Sequence, residues 1–94
     1  MKKEMFLEKN IMLENGENVL LQYFITKTYI KYKNMNSPVY GIEISKYCDN
    51  EFIEKEGDYG ITEKEEDIMK LINIISEYNV MPSSLLNIID DFVS

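Results

Sequence analysis

The chain has 94 residues, 45% of them apolar, with four Gly, two Pro and a formal charge of −7. That length fits a single domain, residues 1–94, and the apolar fraction suffices to offset the entropy of ordering one core. All ten basic residues are Lys and there is no His, which removes the Ser-His-Asp and Cys-His nucleophile pairs, the commonest metal ligand and the bidentate phosphate fork of Arg; no catalytic, cofactor-binding or metal residues and no cofactor are expected.

The opening MKKEMFLEKN begins like a signal peptide, but Glu4, Glu8 and Lys9 leave no apolar stretch after the lysines. No later run approaches the length that spans a bilayer, so a cytoplasmic protein without membrane partners is expected. Alternation in the first half predicts strands near 4–13 and 18–32. Met5, Leu7, Ile11 and Leu13 share one parity, and Asn15-Gly16 supplies the two positive-φ residues of a type I′ turn. With that turn Ile11 faces Leu20 and Leu7 faces Phe24. The stretch KNMNSP (33–38) interrupts the pattern and VYGIEISKY (39–47) resumes it as a third strand. A weaker run, EFIEK (51–55), offers a fourth before Gly57 and Gly60, closing a meander over about 4–56.

Strand two is apolar on both parities, with Leu20, Phe24 and Ile30 on one and Leu21, Tyr23, Ile25 and Tyr29 on the other. Two apolar faces need two covers. Either helices divide between them, or the strand curves around its own core, or one face is left for a partner or a second copy of the chain. The patch around Tyr23, Ile25 and Tyr29 is the candidate interface.

The period then changes from two to 3.6. Thr62 followed by Glu65 reads as a capping box, and Glu63, Glu65, Glu66 and Asp67 suit the positive end of a helix dipole. A helix over about 63–78 places Ile68, Leu71, Ile72, Ile75 and Tyr78 in an arc of roughly 120°, leaving Ile74 outside it as a further interface candidate. Asn79-Val80-Met81-Pro82 ends that helix, and Pro82 opens the next, about 83–93. There the apolar residues fill roughly 160°, and Asp90 and Asp91 fall on the remaining side at a dipole cost of about 0.3–1 kcal/mol each. They are either solvent-facing or part of an acidic recognition surface. The predicted fold is α+β: a three- or four-stranded antiparallel β-meander with two C-terminal α-helices packed on one face.

Charge divides along the chain: residues 1–47 hold seven Lys and five acids, residues 48–94 three Lys and twelve acids. Such a field favours a basic partner over nucleic acid. TKTYIKYK (26–33) interleaves Lys with Tyr as single-strand-binding sheets do, yet the net charge and the lack of Arg argue against nucleic acid. Cys48, the one cysteine, cannot form an internal disulfide, which agrees with a reducing compartment. Its neighbours Asp49 and Glu51 would raise rather than lower a thiol pKa. DNEFIEKEGDYG lacks the ligand spacing of an EF-hand loop.

YGIEI (40–44), IT followed by acids (61–67) and NVMPSSLLNIIDDFV (79–93) resemble, in that order, a family of small bacterial proteins classed as a domain of unknown function, from anaerobic low-GC Gram-positive organisms. The resemblance covers about residues 20–93 and implies a meander ending in a YGIE strand, a helix, a V-x-P break matched by Val80 and Pro82, and a short acidic-apolar final helix. Many members carry a His at the start of that helix, where this chain has Ser84. No reaction, cofactor or catalytic residue is implied. The expected function is non-enzymatic: a small interaction or regulatory module that binds another protein, or itself as a homodimer. The alternative is an acidic inhibitor, of the kind mobile elements encode, whose carboxylates mimic nucleic-acid phosphate to block a basic site. Mimicry needs Asp49, Glu51, Glu54, Glu56, Asp58, Glu66, Asp67, Asp90 and Asp91 to form one continuous surface; a binding module or dimer needs an uncovered patch around Tyr23, Ile25 and Tyr29.

Overall fold

The computed structural model describes residues 1–32 and 35–93. Four antiparallel strands in sheet order β1-β2-β3-β4 span Lys2–Met12, Asn18–Tyr32, Met35–Cys48 and Glu51–Thr62. Helix α1 covers Glu65–Glu77 and, after a 3-10 turn at Pro82–Ser84, helix α2 covers Leu85–Val93. This is the four-stranded form of the expected α+β meander. The molecule measures 52 × 26 × 17 Å. Its long axis matches the 15 residues of β2 at about 3.4 Å each, and its thin axis matches one sheet plus one helical layer.

The first hairpin differs from the predicted type I′ geometry. Leu13 accepts from the Gly16 N–H and donates to the Glu17 carbonyl, and only Gly16, at φ +86, is left-handed in this turn. That is a three-residue loop closed by a glycine bulge, in which Glu14 is the extra residue. Ile11 therefore pairs with Val19 and Leu7 with Tyr23, one residue away from the predicted register. A second irregularity between Met5 and Leu7 lets Phe6 bulge, so Met5 and Leu7 point to opposite faces rather than sharing one. The type I′ pair is found instead at Asp49-Asn50, φ 51 and 67, joining β3 to β4. Strand β3 starts earlier than expected, at Met35, and β4 runs through both glycines to Thr62. Of the predicted break at 33–38, residues 33 and 34 lie outside the described residues.

Both helices lie on one face of the sheet. Val19, Leu21 and Tyr23 of β2 meet Ile42 and Ile44 of β3 beneath Ile68, Leu71, Ile72 and Ile75 of α1. The predicted capping box does not form. Lys64 is the N-cap, and Thr62 Oγ1 accepts from the Lys64 N–H, stabilising the turn before the helix. At the other end Asn79 takes φ +55, while Val80 N–H donates to Ile75 and Asn79 N–H to Ser76. This Schellman closure buries Val80 against the same core as Ile75. Tyr78, placed on the apolar stripe by periodicity, is instead the exposed C-cap residue. Lys9 Nζ donates to the Ser76 carbonyl at 2.9 Å, bringing a cation to the negative end of α1. In α2 only Leu85 and Ile89 are fully buried.

Candidate interaction surface

Tyr23 is completely buried, and its hydroxyl donates to the Val80 carbonyl at 3.0 Å. Burial pushes its pKa up to about 12. Ile25 is half-buried against the same core. The predicted patch around Tyr23, Ile25 and Tyr29 is thus corrected for its first two members, which lie on the face the helices cover. Tyr29 shares that face but stands beyond the helices and is 60% exposed. Ile74 is exposed on the outside of α1, and Asp90 and Asp91 are exposed on α2.

Among the described residues the opposite face has no helix over it, yet its centre is buried. Glu43, in the middle of the YGIEI strand, is only 2% exposed. Lys3 reaches across the Phe24 ring, with Nζ 4.6 Å from its centroid, to pair with Glu43 Oε2 at 2.9 Å. From the other side the Tyr59 hydroxyl donates to Glu43 Oε1 at 2.7 Å. Burial alone would raise the Glu43 pKa, but the Tyr59 hydroxyl and the Lys3 ammonium outweigh it and hold the carboxyl below its ordinary range. The same bond to Glu43, reinforced by burial, lifts Tyr59 to about 12. Gly41 lies under this arrangement because a Cβ there would run into the backbone of Asp58 and Tyr59. Sequence reasoning missed this trio. A carboxylate between two isoleucines of a central strand is the signal that could have found it, since a buried charge needs a partner.

At one end the β2–β3 pair outruns its neighbours. Strand β1 last pairs with β2 at Lys2↔Lys27, and β4 last pairs with β3 at Tyr40↔Thr62. Beyond them Thr28↔Val39 to Tyr32↔Met35 form a two-stranded ribbon. Tyr29 and Ile30, at 60% and 51% exposed, project from its two faces. At its base Lys27 Nζ lies 5.2 Å from the Tyr29 ring centroid and 5.7 Å from that of Tyr40. Beside it a groove of about 200 Å³ opens between β1 and the start of α1, floored by Ile25 and Ile68 and rimmed by Lys2, Glu4 and Glu65.

Cys48 Sγ faces Glu17 at 3.6 Å, and burial, then Asp49 and Glu17, push its thiol pKa up. Among the described residues no group of three His, Cys, Asp or Glu side chains is placed to hold a metal ion. The acids are spread out. Asp49 and Glu51 sit at one end of β4, and Glu66 and Asp67 follow its other end, which its pairing with β3 from Cys48 to Tyr40 sets about 27 Å away. No helix among the described residues is long and apolar enough to cross a membrane.

Over residues 2–94 the chain matches the model of a family of unknown function, DUF6514, and it belongs to that family. It matches none of the curated proteins and none of the solved structures with which it was compared.

Proposed function

We propose that this chain is a non-enzymatic interaction module that binds another protein, or a second copy of itself, through the ribbon at the end of β2 and β3. The observation that carries this reading is the state of that ribbon: among the described residues its strands pair with neither β1 nor β4, and Tyr29 and Ile30 stand exposed on its two faces. A two-stranded hairpin is marginal on its own in water, and exposed aromatic and aliphatic side chains on one gain most from being covered. Lys31 and Pro38 guard the ribbon's edges against indiscriminate strand pairing, which leaves its faces as the contact surface. The absence of His and Arg supports a role without catalysis. A cytoplasmic setting is supported by the lone cysteine. Origin in anaerobic low-GC Gram-positive bacteria is supported by the motif resemblance and by a chain rich in Ile, Asn and Lys.

A photo-crosslinking amino acid placed at Tyr29 tests the reading directly. Irradiation in cells should give a discrete protein adduct from position 29 and little from the same probe at exposed Asn10. Equal labelling at both sites, or none at Tyr29, overturns it.

A further inference from the structure

The face of the sheet that carries Tyr29 is the one the helices cover elsewhere. Helix α1 begins at Glu65, level with Lys27 and Tyr40, and runs away from the ribbon toward Lys9 and Ser76. Tyr29 and Lys31 therefore extend a helix-covered face past the start of α1.

The cover that fits them must be apolar, acidic and helical. Between Thr26 and Ile42 the sequence holds three Lys and no carboxylate. Residues 71–94 hold three acids and no Lys. Within that acidic segment α2 exposes Leu86 at 45% and Val93 at 58%, with Asp90 exposed between them. At about 100° per residue these three lie within roughly 60° of one another, a second stripe on the helix flank about 90° round from the buried pair Leu85 and Ile89. Helix α2 has no basic residue in its last turn, so the negative end of its dipole and the Asp90 carboxylate both call for cations. The ribbon offers Lys27 and Lys31. Ribbon against ribbon would set lysine on lysine and is disfavoured.

We propose that a second copy of this chain covers the ribbon, laying the exposed flank of its α2, Leu86, Asp90 and Val93, over Tyr29 and Lys31, reciprocally about a two-fold axis. The contact is isologous, so each copy supplies one ribbon and one helix and the assembly closes at two. This rests on the ribbon being the interaction surface and names what it binds.

Light scattering on the full chain should give twice the 11.1 kDa chain mass, with dissociation favoured by added salt. Lys31→Glu and Asp90→Lys should each weaken self-association by a factor of about ten or more, since each sets like charges together twice in the dimer. Mixed in equal amounts, the two variants should associate again: one contact then sets the introduced glutamate against the introduced lysine, and the other keeps the native Lys31 against the native Asp90. Asp90→Lys also places a cation at a helix C-terminus, so the monomer should hold or gain stability, which separates lost association from lost folding. A wild-type chain that stays monomeric from micromolar to millimolar concentration overturns the inference. So does a dimer that neither charge reversal weakens, or whose two variants fail to rescue each other. A monomer whose Tyr29 probe captures an acidic heterologous protein or a nucleic acid also overturns it, while leaving the ribbon as the contact surface.

Discussion

The two faces of this sheet bury their centres by opposite chemistry. Under the helices, Tyr23, Ile42 and Ile44 are sealed by the aliphatic stripe of α1, and the Tyr23 hydroxyl finds a carbonyl. On the far side no element among the described residues lies over Glu43, and long side chains from β1 and β4 fold across the strands to enclose it. A layered core is general and forgiving, because neighbouring side chains can repack. A three-residue polar enclosure is specific, since each member has one geometry that satisfies the others. The face with helices should therefore govern stability, and the face without them should govern the conformation of β4.

Substitution on each side tests that division. Leu71→Ala opens a cavity in the layered core and should cost about 2–5 kcal/mol in urea unfolding, the largest single loss expected. A loss under about 1 kcal/mol would mean that α1 is not what seals the sheet. Gly41→Ala attacks the other face: the new Cβ meets backbone of β4, which cannot rotate away, so the cost should lie near the top of a range of about 1–3 kcal/mol. Crucially, it should also disturb Tyr59, visible as altered ring chemical shifts, whereas Leu71→Ala should leave them in place.

Glu43→Gln keeps the shape of the enclosure and removes its charge, and should cost about 1–2 kcal/mol near neutral pH. The folded pKa of Glu43 lies below the ordinary value of 4.5, so its contribution is complete above that value and fades as the pH falls through the lower folded one. The difference between wild type and variant should accordingly shrink as the solution is acidified below about pH 4.5. A pH-independent difference would assign the loss to packing. Every other carboxylate titrates in both proteins, so the comparison isolates this one.

These faces were only partly legible in the sequence. The strands, both helices, the stop at Asn79 and the packing of both helices on one face follow from periodicity and turn chemistry, which are local. The choice of face does not. It turned on whether Asn15-Gly16 closes a two-residue or a three-residue loop, and Glu14 and the bulge at Phe6 each shift the register by one. One residue exchanges the faces of β2, and so Tyr23 moved from candidate surface to core while Phe24 moved beneath Lys3. The Lys3–Glu43–Tyr59 trio joins residues 40 and 16 positions apart, a coincidence that only the register creates. Tyr29 kept its exposure because the ribbon extends past the ends of β1 and β4 and the start of α1, a matter of strand lengths that β-propensity leaves undefined.

The smallest expected effect has the opposite sign. Thr26 lies beside Gly41 on the polar face, fully buried, and its hydroxyl has no hydrogen-bond partner among the described residues. A hydroxyl taken from water without a partner costs about 1–3 kcal/mol, and a methyl of nearly the same volume carries no such cost. Thr26→Val should therefore stabilise the fold by up to about 1 kcal/mol, since β-branching and strand propensity are retained. Thr26→Ser, which keeps the hydroxyl and removes the methyl, should lose about as much through the gap it leaves. If valine destabilises instead, the Thr26 hydroxyl has found an acceptor within the enclosure. The polar face would then be a four-membered network, and its hold on β4 correspondingly tighter.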